Sequence, residues 1–276
     1  MQAINLLDTV RDHYDAVGLT ERLKTALASL PPAGQRLTPL QLASLDHFHT
    51  RGAEATIEIG RLAGITAATS VLDIGSGIGG PARLLAATHG CRVTGIDLSP
   101  GFVDAARYLT ERTGQGDQVS FQMGSALALP LVDGRFDIAL LQHVAMNIAD
   151  RAKLYREIRR VLKPGGRFAT YDVVMKEGSP HYPVPWARTS ASSFLLSAEA
   201  TRAAVEEAGF RIRAWQDDTE TARAWFARLR ETGPPSLNLG LVMGPDFVQL
   251  TANLARSLME GRLGILTAVF EAAGAP

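Results

Sequence analysis

Val71-Leu72-Asp73-Ile74-Gly75-Ser76-Gly77-Ile78-Gly79-Gly80 is the stretch that decides the fold of this chain. A short apolar run that carries an acid and then breaks into four glycines within six residues describes a strand feeding a tight loop. Glycine there lets backbone approach a ligand that a Cβ would hold away. One helix-length further on, Thr94-Gly95-Ile96-Asp97-Leu98-Ser99 closes a second apolar run, with Asp97 placed 22 residues after Gly75. In α/β nucleotide sites an acid at that spacing holds ribose hydroxyls. The ligand is therefore expected to carry a ribose.

Two kinds of ligand fit this spacing. Gly75 to Gly80 satisfies G-x-G-x-x-G, so a nicotinamide or flavin dinucleotide, and with it an oxidoreductase, has to be weighed. Asp73 separates the two, because a carboxylate two residues before the first glycine repels a pyrophosphate. S-adenosylmethionine carries an α-ammonium group and no phosphate, and the charge logic favours it.

Outward from this core, strand and helix patterns alternate over 71–74, 81–88, 92–97, 100–113, 119–123, 136–141, 151–162 and 168–174. Alternation of this kind means crossover connections and a mainly parallel sheet. Upstream, residues 1–30 read as helix, with Leu6, Val10, Tyr14 and Val17 at helical spacing, until Pro31-Pro32-Ala33-Gly34 stops it. A second helical stretch over 39–64 carries His47 and His49. Residues 1–66 are expected to form an N-terminal helical lid, and 67–276 the ligand-binding core.

Between 176 and 197 the regular pattern lapses: Gly178, Pro180, Pro183 and Pro185 alternate with Tyr182, Trp186 and Phe194. A long connection leaving the carboxyl end of a strand is placed to line a ligand site. Helix and strand return over 199–208 and 210–217, with another helix around 221–230. A loop follows at 233–245, then apolar residues at helical spacing from Phe247 to Leu258, and a closing strand over 264–270.

Composition bounds the function. The chain has 28 Lys plus Arg against 28 Asp plus Glu, so no net field draws it to nucleic acid or an anionic membrane. Its single cysteine, Cys91, excludes an internal disulfide and suits a reducing cytoplasm. The first twelve residues contain Asp8, Arg11 and Asp12, unlike a secretory signal. No uncharged run approaches the roughly 18 apolar residues of a membrane span. A cytoplasmic protein, monomeric or homodimeric, is the expectation.

The run Asp73 to Gly80, the strand end Gly95-Ile96-Asp97-Leu98-Ser99, Leu129-Pro130 before Phe136-Asp137, and Arg160-Val161-Leu162-Lys163-Pro164-Gly165-Gly166 resemble the class I S-adenosylmethionine-dependent methyltransferases. His47-Phe48-His49-Thr50-Arg51-Gly52 and Met146-Asn147-Ile148 are similar to the small-molecule branch that includes sarcosine/dimethylglycine, ubiquinone/menaquinone and sterol methyltransferases. The resemblance implies a Rossmann-like α/β fold with seven strands, mostly parallel, helices on both faces, and a last strand that inserts antiparallel. It also implies that Gly75, Gly77 and Gly79 form a platform under the methionine part of the donor. Ser76 would offer a hydroxyl or N–H to its carboxylate, Asp73 would face its ammonium, and Asp97 with Leu98 would hold the ribose. Where the family usually has Gly-Asp-Ala at the end of the third strand, this chain has Gly124-Ser125-Ala126, so Ser125 and Ala126 are left to meet the adenine. Gln142 ends the fourth strand, on the ligand edge of the sheet.

Methyl transfer from a sulfonium is an in-line displacement that needs alignment and exclusion of water, and needs no metal. A base matters only for an acceptor that must shed a proton, and histidine suits that role. His143, next to the fourth strand end, is the first candidate. His47 and His49 are the others, with at most one of them inward if both lie on a helix. Tyr14, His143, Asn147, Tyr182, Trp186 and Phe194 are candidates for contacting a small-molecule acceptor through O, N or C. A protein that binds S-adenosylmethionine without catalysis is the remaining alternative.

Overall fold

A computed structural model of the chain describes residues 18–28, 30, 35–233, 235 and 237–273. Tyr14, Leu6, Val10 and Val17 lie outside the described residues. One seven-stranded sheet organises the molecule, in the order β3-β2-β1-β4-β5-β7-β6. Its strands are β1 (Ser70–Ile74), β2 (Arg92–Asp97), β3 (Val119–Met123), β4 (Phe136–Gln142), β5 (Leu162–Met175), β6 (Phe210–Asp217) and β7 (Leu263–Ala272).

The first five strands pair in parallel, with Val71 facing Val93 on one side and Ile138 on the other. Central strands of such a sheet are covered on both faces, which is why β1 is buried from Val71 to Ile74. β7 runs antiparallel to both β5 and β6, as the family resemblance implied.

The helices are α1 (Leu19–Leu27), α2 (Pro39–Asp46), α3 (Ala53–Ala63), α4 (Gly80–His89), α5 (Pro100–Thr113), α6 (Arg151–Val161), α7 (Ala198–Glu207), α8 (Thr219–Thr232), α9 (Gly240–Met243) and α10 (Phe247–Met259). One apolar layer joins Ala55, Ile59, Leu85, Ala106 and Leu258 to one sheet face. Another joins Leu154, Ile158, Phe168 and Phe270 to the opposite face. A third cluster, with Leu19, Leu23, Leu42, Leu45, Phe102, Leu109 and Val242, ties α1 and α2 to α5.

The helical stretch expected over 39–64 is divided. Thr38 caps α2 reciprocally with Gln41, and the helix ends at Asp46, where His47 is extended at φ −108°. Gly52, at φ 49°, precedes α3, which packs on the sheet. His47 to Arg51 therefore form a connection between helices, so their side chains do not follow a helical rotation. Residues 240–243, expected within a loop, form the short α9.

Candidate active site

The carboxyl ends of β1 to β4 open into a cavity of about 1350 Å3, partly open to solvent. Asp73, Gly75, Ser76, Gly77, Asp97, Leu98, Ser99, Ser125, Ala126 and Leu127 wall the end toward β3. Residues that follow β4, with Trp186 and Leu254 of α10, wall the other end, and Leu239 and Met243, at the two ends of α9, join the lining.

The glycine loop turns because three of its residues hold positive φ, and two of them, Gly75 at 70° and Gly77 at 53°, line the cavity. A Cβ on Gly75 would overlap the Val144 side chain, and one on Gly77 would press the Phe48 ring at 3.3 Å. Gly79 differs from this pattern. It lies outside the cavity wall, where a Cβ would strike Phe121 and Arg83, and its φ of 83° starts α4. Its place in the platform is thus that of a turn residue behind the wall.

Four of the loop's N–H groups are already engaged. Gly75 and Ser76 donate to Ile96 O at 2.8 and 3.0 Å, Gly77 donates to Asp97 Oδ2 at 2.8 Å, and Gly79 donates to Ser76 O at 2.9 Å. The Ser76 N–H is therefore not the group offered to a ligand carboxylate. Its hydroxyl is, because Ser76 Oγ is buried without a partner. Asp73 Oδ2 and Gln142 Nε2 share that condition, and all three residues line the cavity.

Buried polar atoms without partners are uncommon, and each points to a missing complement. Burial, and then the neighbouring Asp97, push the Asp73 carboxyl up to about 7. Burial likewise lifts Asp97 to about 6, against the pull of the Ser99 and Gly77 N–H groups. Each Asp97 oxygen accepts one backbone bond, from Gly77 or from Ser99 at 2.9 Å, and keeps a further lone pair.

An amino-acid group matches this set, its ammonium toward Asp73 and its carboxylate toward the Ser76 hydroxyl and Gln142 amide. A ribose diol matches Asp97. A diphosphate would instead meet two carboxylates and a loop in which the N–H groups of Gly75, Ser76, Gly77 and Gly79 are used. The residues thus fit S-adenosylmethionine.

His143 stands at the junction of the two ends, with φ 53°. Its N–H donates to Tyr171 O at 2.8 Å, and its Nε2 lies 3.5 Å from Thr50 Oγ1. Burial drives its imidazole down to about 3, so the ring stays neutral. Asn147 also lines the cavity and donates to Val144 O at 3.3 Å.

His49 lines the cavity, donating from Nδ1 to Thr50 O at 3.1 Å, while Thr56 lies 3.1 Å from its Nε2 and donates to Gln142 Oε1 at 3.3 Å. Burial first, then His47 and His143, hold His49 well below the usual histidine range. His47 is outside the wall, its Nδ1 set 2.7 Å from Asp46 Oδ1 in a fully buried pair, which makes it a support of the connection between α2 and α3.

Of the three aromatics of the 176–197 segment, Trp186 faces the cavity, held by its Nε1 donating to Ser193 Oγ at 2.9 Å. Tyr182 packs instead against the main apolar layer. Phe194 is outside the wall too: its N–H donates to Met146 O at 2.8 Å and its carbonyl accepts from Arg151 at 2.8 Å, so it fastens the segment.

Sequence reasoning missed Phe48, Leu239, Met243, Phe247 and Leu254, which also line the cavity. The helical spacing of Phe247, Leu250 and Leu254 was a signal for a buried face, with nothing to say which face meets a ligand.

A family model described as "Methyltransferase domain" matches residues 72–170. The O-methyltransferase resE of Aspergillus sclerotiorum is 32% identical over 205 residues, 72% of this chain and 75% of that protein. The sterol 24-C-methyltransferase of Eremothecium gossypii is 40% identical over 115 residues, 42% of this chain, and the match spans only 31% of that relative's length. The geranyl diphosphate C-methyltransferase of Streptomyces coelicolor A3(2), solved with Mg2+, geranyl diphosphate and S-adenosyl-L-homocysteine, shares the fold, with a TM-score of 0.70 over 99% of both chains at 18% identity. The chain belongs to the class I S-adenosylmethionine-dependent methyltransferases. Its cofactor is accordingly S-adenosylmethionine, and nothing supports the nicotinamide-dependent oxidoreductase alternative.

Proposed function

We propose that this chain transfers the methyl group of S-adenosylmethionine to a small-molecule acceptor. The observation that carries this reading is the trio of unpartnered buried atoms, Asp73 Oδ2, Ser76 Oγ and Gln142 Nε2, on one cavity wall. Asp73 holds the donor's ammonium, Ser76 and Gln142 its carboxylate, Asp97 and Leu98 the ribose, and Ser125 and Ala126 the adenine edge. When bound, the donor supplies an electrophilic methyl on a sulfonium.

The protein's part is mainly alignment and exclusion of water, which can be worth roughly 7 to 11 kcal/mol. Phe48 and His49, from the lid of residues 1–66, cover the cavity, while the core of 67–276 supplies the strand ends. His143 faces the acceptor, and its neutral imidazole is placed to accept a hydrogen bond from an acceptor that has a proton to lose. The segment 176–197 contributes Trp186 to the acceptor side. We further propose a monomer or homodimer in the cytoplasm, acting on neither nucleic acid nor membrane. No helix among the described residues is long and apolar enough to cross a membrane.

A thermal-shift comparison of S-adenosylhomocysteine with NAD tests the donor site: stabilisation by the first alone is expected, and stabilisation by NAD alone would reject it. Mass spectrometry of phenols, amines and isoprenoids incubated with enzyme and methyl-labelled donor tests the transfer. Donor binding without a labelled product from any of them would favour a non-catalytic binder.

A further inference from the structure

We infer that the acceptor is uncharged: an apolar body with a single hydroxyl-type head. This deepens the function proposed above and rests on it, because that reading assigns one end of the cavity to the donor.

The sheet order fixes which end is left. β3, β2 and β1 lie side by side and bring Ser125, Asp97 and Asp73 to the donor half, so the acceptor half is the β4 side. On that side Met146, Trp186 and Leu254 pack in one apolar cluster and line the cavity. Nearest the donor half, the polar groups available to an acceptor are the imidazole of His143 and the amide of Asn147, both uncharged.

Among the described residues, the charged side chains on the whole cavity wall are Asp46, Asp73 and Asp97, all carboxylates. Asp46 is closed off by Arg83 Nη2 at 2.8 Å and His47 Nδ1 at 2.7 Å. Arg51, near the same connection, is engaged by Glu58 at 2.7 Å and Asp218 at 3.7 Å and is not part of the wall.

An anionic acceptor would bury a charge against apolar side chains, within the field of two donor-side carboxylates. A cationic one would bury a charge with no carboxylate on its half of the wall. Burying an unpaired charge is strongly unfavourable in either sign. A hydroxyl avoids both costs. It can donate to the lone pair of a neutral imidazole, or accept from its N–H. A phosphate-bearing acceptor, such as the geranyl diphosphate held by one of the structural neighbours, is excluded by this chemistry.

Three probes with one apolar body separate the possibilities: geraniol, geranyl diphosphate and geranylamine, titrated calorimetrically into the full chain saturated with S-adenosylhomocysteine. Geraniol should bind at least ten times more tightly than either charged probe. Equal or tighter binding of the diphosphate or the amine overturns the inference, as does a lack of geraniol binding to protein that holds S-adenosylhomocysteine. Failure of S-adenosylhomocysteine itself to bind removes the donor assignment and this inference with it. A Leu254→Lys variant places a cation on the acceptor wall and should raise affinity for the diphosphate at least tenfold. Unchanged diphosphate affinity in a folded variant overturns the placement of the acceptor half.

Discussion

His143 lies flat on Tyr171, their ring centroids 5.4 Å apart and their planes 11° from parallel, while the His143 N–H donates to the Tyr171 carbonyl at 2.8 Å. The same tyrosine's hydroxyl shares a 2.8 Å hydrogen bond with Thr50 Oγ1, which also lies 3.5 Å from His143 Nε2. Tyr171 thus grips the histidine by face, by backbone and through Thr50. Holding a non-glycine residue at φ 53° costs of order 1–3 kcal/mol, and such strain collects at working sites.

His143→Asn is expected to keep the fold, since asparagine tolerates left-handed backbone, and to lower kcat by about 10²-fold or more if the imidazole takes a proton. Donor affinity should change less than about threefold by calorimetry. Parallel losses in kcat and donor affinity would mark His143 as a packing residue.

The same burial makes a stability prediction. Folded His143 titrates at about 3 and an exposed histidine at 6.5, so the unfolded chain takes up the proton first. His143 therefore favours folding above pH 6.5, and that contribution is lost as pH falls toward 3. In urea titrations, the gap between wild type and His143→Asn should change in the variant's favour between pH 6.5 and pH 5. A gap that does not move with pH would refute the assignment.

Asp73 acts with the opposite sign. Its carboxyl, raised from 3.8 to about 7, binds a proton more tightly in the folded chain, so its contribution is fully present below pH 3.8 and fades as pH rises through 7. Asp73→Asn should raise the Tm of the ligand-free protein at pH 8. It should also weaken S-adenosylhomocysteine by at least about tenfold, because a buried charged pair is lost. Wild-type affinity for that ligand should strengthen from pH 6 to pH 8 as the carboxyl ionises. A pH-independent affinity would contradict an ammonium partner.

Gly75→Ala should destabilise by about 1–2 kcal/mol from its left-handed backbone, and more from the collision with Val144. Adding Val144→Ala should recover the steric part and leave the backbone part. A double-mutant cycle by thermal melting that shows simple additivity would reject the contact.

Arg83 is wholly buried, with Nη2 2.8 Å from both Asp46 Oδ2 and Ile78 O. It joins the end of α2 to α4. Arg83→Met leaves Asp46 without its guanidinium and is expected to cost about 3–5 kcal/mol in urea unfolding. Asp46→Asn in the Arg83→Met background should return part of that loss. A near-neutral Arg83→Met would mean that Asp46 is satisfied by His47 alone.

Much of the core was legible because it is local. The glycines, Asp73 and Asp97 announced themselves through strand ends and φ requirements that near neighbours in sequence impose. The 39–64 stretch divides between α2 and α3 because its connection is held from outside: Asp46, beside His47, is gripped by Arg83, and Thr50 and His49 meet Tyr171, partners that lie far away in sequence. Tyr182 and Phe194 had the composition of ligand contacts, yet the path of the 176–197 segment turns only Trp186 to the cavity.

The sequence by itself determined the parallel core, the turn of the glycine loop and the two carboxylates at the strand ends, because each follows from backbone sterics and charge within a few residues or at a set spacing. Only the tertiary structure decided which N–H groups of the loop are engaged, that His49 and His143 reach the cavity while His47 does not, and that residues of α9 and α10 join its wall. Those properties belong to contacts between segments up to two hundred residues apart, where packing and burial, rather than local pattern, choose a side chain's surroundings.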